Sequence, residues 1–131
     1  MIFLIDHNLK GHARILLGSL AGQGWLEVVP IRFLMFEDVG LSIDSSDRVV
    51  WRVAQKNQMI LLTANRSMSD EDSLEQVMRE ENTPSSLPVV TVGNADRVLN
   101  DANYRDRCVE RIVEIAIYTA NYLGARRVFI P

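Results

Sequence analysis

Short runs of apolar residues alternate along this chain with longer stretches in which apolar positions return every three or four residues. Ile2 to Ile5, Met59 to Thr63, Leu87 to Val92 and Arg127 to Ile130 are of the first kind. Such runs, bounded by polar turn residues, read as strands, and the continuous Met59 to Thr63 as one covered on both faces. Leu9, Ala13, Leu16, Leu17 and Leu20 are of the second kind, and so are Val49, Val50, Val53 and Ala54. They predict helices over about 8–20 and 47–56. Asn8 is the expected N-cap of the first and Asp47, or Ser46 beside it, of the second.

Trp25 to Phe33 suits a further strand, irregular around Pro30, after Gly22 and Gly24 end the first helix. Residues 35–46 read as a loop, and Ser69 to Glu75 leads into a short helix ending near Glu81. From Arg97 or Asp101 one long amphipathic pattern reaches Leu123, through Val109, Ile112, Val113, Ala116, Ile117 and Ala120, and stops at Gly124. Strands alternating with helices predict an α/β fold: a three-layer sandwich on a mostly parallel central sheet of about five strands, with right-handed crossovers.

Composition narrows the classes. The chain has 131 residues, 47% hydrophobic and 24% charged, which predicts one soluble domain over 1–131. No apolar stretch nears the roughly 20 residues of a membrane span, and no basic segment precedes the first hydrophobic run, so a cytoplasmic location is expected. A formal charge of −3 argues against broad coating of nucleic acid, though not against a nuclease with an acidic, cation-holding pocket. One cysteine, Cys108, and two histidines, His7 and His12, are poor material for a zinc site. Neither a phosphate-cradling glycine loop nor a nucleophile elbow is present; Ser19, within Gly18 to Gly22, lies inside a helical pattern.

Candidate chemistry starts at Asp6, where the first apolar run breaks into Asp6, His7 and Asn8. A strand ending on Asp puts it at the carboxyl edge of the sheet, where open parallel sheets keep their ligand crevice. If the first and third strands are neighbours, Thr63, Asn65 and Arg66 lie close by, and Asp47 joins them from the start of the second helix. Oxygen-rich acidic clusters suit Mg²⁺ or Mn²⁺, which need one or two carboxylates together with water and substrate phosphate. Asp6 also suits plain helix capping, and the Ser69 to Glu75 run suits a solvated helix start.

Met1 to Leu9, Asp47 to Ala54 and Ile60 to Arg66 together resemble the bacterial PIN-like family, whose members read roughly FLIDENL, D-x-x-(I/V)-x-x-x-A and LLT-x-D. The resemblance covers about residues 1–95 and rests on the order and spacing of short motifs. It implies a Mg²⁺- or Mn²⁺-dependent endoribonuclease acting on single-stranded RNA, and a toxin held by a partner antitoxin protein. Asp6 then matches the first metal-binding carboxylate and Asp47 the second, with Asn65 at the third catalytic position, where the pattern has Asp. Asn8 and Arg66 become substrate contacts, and Asp70, Asp72 or Glu75 stand in for the missing carboxylate. The alternative is a catalytically silent binding or regulatory module, dimeric through the long helix with Tyr104, Tyr118 and Tyr122.

Overall fold

The computed structural model describes residues 1–65 and 73–131. Its strands are β1 (Ile2–Ile5), β2 (Arg32–Leu34), β3 (Met59–Thr63), β4 (Val89–Val92) and β5 (Arg127–Ile130). They form one five-stranded sheet in the order β2-β1-β3-β4-β5, every pair parallel. The helices are α1 (Lys10–Gly22), α2 (Trp25–Val28), α3 (Asp47–Lys56), α4 (Leu74–Glu81), α5 (Ala95–Asn100) and α6 (Ala102–Ile117). The expected three-layer α/β architecture is therefore the observed one.

Side-chain alternation sorts the core into two halves. Phe3, Ile5, Ile60, Leu62, Val90 and Val92 face one way and pack against Leu16 and Leu20 of α1, Val98 of α5, and Val109 and Ile112 of α6. Leu4, Met59, Leu61 and Val89 face the other way, against Val50, Trp51 and Ala54 of α3 and Leu74, Val77 and Met78 of α4. Arg48 and Arg52 on α3 reach Glu81 on α4 at 2.5 and 2.8 Å, tying that second layer together.

Local sequence explains most boundaries. Ser46 is the cap of α3, its hydroxyl accepting from Val49 N–H at 3.3 Å, and this leaves the Asp47 carboxylate free for other partners. Ser73 caps α4 in the same way through Gln76 N–H at 3.2 Å. β4 starts later than the apolar run suggests. Pro88 has no N–H, and Leu87 bonds instead to the side-chain amide of Gln55, at 3.0 Å through its N–H and 2.9 Å through its carbonyl.

Three expectations are corrected. Asn8 does not cap α1; it is exposed within a 3₁₀ turn, His7–Leu9, whose closing bond runs from Leu9 N–H to the Asp6 carbonyl at 2.8 Å. Trp25 to Phe33 is not one strand. Gly24, at φ 79°, turns the chain so that residues 25–28 form α2, and only Arg32–Leu34 pairs with β1 at the sheet edge. The single long helix is two. Asp101, extended at φ −130°, ends α5 and caps α6 by accepting from Tyr104 N–H at 3.1 Å. α6 then stops at Ile117, where the Thr119 hydroxyl donates to the Ile115 carbonyl at 2.8 Å and a 3₁₀ turn, Thr119–Tyr122, follows.

Tyr104, Tyr122 and the cysteine have intramolecular roles, while Tyr118 is exposed. Tyr104 is buried and its hydroxyl accepts from Asn94 N–H at 2.8 Å, while the Tyr122 hydroxyl donates to Glu114 at 2.7 Å. Cys108 is fully buried, and burial pushes its thiol up to about 11, as expected for inert packing.

Candidate functional site

The strand order places the site. From β1 the chain moves outward to β2, and from β3 it moves the opposite way to β4, so a crevice opens above the adjacent carboxyl ends of β1 and β3. Asp6 prolongs β1, its N–H donating to the Leu62 carbonyl at 2.9 Å, and this fixes the backbone from which its carboxylate stands up. Asp47 reaches the crevice from the first turn of α3. A cavity of about 130 Å³ is lined by Asp6, His7, Asn8, Phe36, Ser45, Asp47, Thr63, Asn65 and Leu74. Asp6, Asn8 and Asn65 also line a second space that continues past Ala64 and Ala95 toward the end of β4.

Among the described residues, each carboxylate is held through its Oδ2. Thr63, completely buried, donates its hydroxyl to Asp6 Oδ2 at 2.6 Å and accepts from Asn65 N–H at 2.9 Å. Asp47 Oδ2 accepts from Asn65 Nδ2 at 3.0 Å and from Leu74 N–H at 3.1 Å. Oδ1 of Asp6 and Oδ1 of Asp47 accept no hydrogen bond among the described residues.

Electrostatics separates Asp47 from an ordinary surface carboxylate. Partial burial pushes its pKa up and repulsion from Asp6 adds to the rise, while the Asn65 and Leu74 hydrogen bonds and the positive charge of Arg127 act against it. Two like charges half-buried in one crevice are a standing cost that a cation would relieve.

Asp6, Asp47, Asn65 and Asn8 thus meet as the sequence suggested. His7 joins them at the cavity wall, with its ring 6.2 Å from that of Phe36. Arg66, Asp70 and Asp72 lie outside the described residues. Glu75, the other suggested stand-in, does not: its carboxylate pairs with Arg127 at 2.6 Å. Among the described residues no group of three or more acidic, histidine or cysteine side chains is placed to hold a metal ion.

Sequence reasoning missed Arg127. Its Nη1 donates to the Asn65 carbonyl at 2.7 Å and to the Thr91 hydroxyl at 2.6 Å, and its Nε donates to Glu75 at 2.6 Å. The only signal was an arginine opening an apolar strand, where alternation puts its stem on an inner face of the sheet. In comparisons with known proteins no family model matches the chain, and no curated protein or solved structure matches it with significance. Fold and crevice define a parallel α/β protein whose topological switch point opens into a cavity lined by Asp6 and Asp47.

Proposed function

We propose that the crevice is a divalent-cation site for phosphodiester hydrolysis and that the chain is a PIN-like endoribonuclease acting on single-stranded RNA, within a toxin-antitoxin pair. The observation that carries this reading is the pair Asp6 and Asp47, each anchored through Oδ2 in one crevice, with Oδ1 accepting no hydrogen bond among the described residues. The donor set fits Mg²⁺ or Mn²⁺, since two carboxylates with water and substrate phosphate are enough for such ions. When bound, the cation supplies Lewis acidity toward the phosphodiester oxygens.

The chain's own residues do the rest. Thr63 orients Asp6, and Asn65 with Leu74 N–H orients Asp47, so that both carboxylates stay in place as the substrate arrives. Asn8, exposed at the rim, is placed to donate to a phosphate or ribose oxygen. RNA as the substrate, and an antitoxin as the partner, rest on the family resemblance.

A second reading is a silent binding or regulatory module. It is favoured by one observation: residue 65 is an amide whose Nδ2 already occupies Asp47, where the family pattern would supply a third charge. One titration separates the two. Mn²⁺ added to wild type should raise the melting temperature, with about 2.7 kcal/mol of stabilisation at a hundredfold excess over Kd. Asp6→Ala should lose that response, and wild type alone should cleave a single-stranded RNA. No melting shift together with no cleavage would leave the silent module standing.

A further inference from the structure

We propose that Arg127 is the positioning residue of the crevice, a buried clamp that holds Asn65 and the start of α4 so that Asp47 presents its carboxylate in one orientation. This deepens the reading above and rests on it for the purpose of that orientation. Only 7% of the Arg127 side chain is exposed. From β5 it crosses the face of β4 and gathers three elements: the Asn65 carbonyl after β3, the Thr91 hydroxyl on β4 and the Glu75 carboxylate in the first turn of α4. Asp47 grips the same two segments from the other side, taking Asn65 Nδ2 and Leu74 N–H on a single oxygen. Residues 65 and 74–75 are thus held between a buried arginine and an acid of the crevice.

The clamp has little use as a source of stability. A buried ion pair roughly breaks even against apolar side chains of the same volume, because desolvation offsets the attraction. What a planar guanidinium adds is direction: several donors in a fixed fork set the acceptors relative to one another. Burial of Arg127 is moreover incomplete in its hydrogen bonding, with Nη2 buried and unpartnered among the described residues. A side chain retained purely to fill the core would not carry that penalty.

Arg127→Met, Arg127→Lys and the double variant Arg127→Met with Glu75→Gln test this against wild type. In Arg127→Met, amide hydrogen exchange at Asn65 and Leu74 should speed up about tenfold relative to Ile5 and Leu62, the equivalent of one lost hydrogen bond. The side-chain amide resonances of Asn65 should move toward those of a free amide, and Mn²⁺ affinity should fall by about tenfold. Lysine, which keeps the charge and part of the reach, should restore some of each. The double variant removes the stranded Glu75 charge, and it carries the same comparison should the single one fail to fold. Unchanged exchange and resonances at Asn65 in a folded variant would overturn the proposal, as would faster exchange spread equally over Ile5 and Leu62. Absence of Mn²⁺ binding by wild type would overturn the hydrolase reading instead, and the exchange at Asn65 and Leu74 would still decide the role of Arg127.

Discussion

The two faces of the sheet are built differently. Beneath α1, α5 and α6 the strands present apolar side chains along their whole length, ending on Ile5, Leu62 and Val92. Beneath α3 and α4 the same strands begin apolar, with Leu4, Leu61 and Val89, and turn polar toward the carboxyl edge at Thr63 and Thr91, with Arg127 laid across them. One face is a continuous packed layer; the other gives up packing at one end to hold oriented polar groups. Such groups keep their geometry in the interior only because each has a partner, and Thr63, Asn65, Thr91 and Arg127 supply partners to one another and to the aspartates.

The largest expected effect breaks the apolar face. Ile112→Ala, at a fully buried site of α6, should cost about 2–5 kcal/mol in urea unfolding and leave Mn²⁺ binding as it was. Loss of both together would mean that the faces are not separable. Next comes the polar face. Thr63→Val keeps the shape but strands the Asn65 N–H and frees Asp6, at a cost of about 1–3 kcal/mol, and here cation affinity should fall along with stability. A stability loss with intact affinity would place Thr63 with the packing residues instead.

The smallest effect is in pH. Because the folded state raises the Asp47 pKa from its ordinary value of 3.8, the folded protein holds a proton on that group more tightly than the unfolded chain does. Its contribution to stability is complete below 3.8 and is lost as pH rises through the raised value. Without divalent cations, the difference in unfolding free energy between wild type and Asp47→Asn should therefore move against wild type over that interval. Mn²⁺ should reverse the trend at neutral pH, because cation and proton compete for the same carboxylate. A difference that stays flat with pH would show that the Asn65 and Leu74 hydrogen bonds cancel the effect of burial, and one that moves in favour of wild type that they outweigh it.

Much of the framework was legible from the residues. The runs at β1, β3 and β5 stand where their apolar patterns put them; for β1 and β3 the reason is that a strand buried on both faces has no other composition available. Asp6 was legible for a related reason: a carboxylate directly after such a run must sit at the sheet edge. Gly24 and Asp101 were harder. The first redirects the chain into α2 and the second divides a continuous amphipathic pattern, and local backbone conformation overrode hydrophobic period at both. Arg127 left almost no trace, because its partners come from segments 36 to 62 residues away.

By itself the sequence determined the α/β layering and the polar ends of the first and third strands, because both follow from which residues water rejects and at what spacing. Tertiary structure decided the rest. Only the parallel order β2-β1-β3-β4-β5 makes those ends adjacent, and only the packing of α3 and α4 brings Asp47 to Asn65 and Arg127 beneath both. Hydrogen bonds between distant segments depend on distances and angles that no local pattern encodes, so the anchoring of each aspartate through its Oδ2 is a property of the fold.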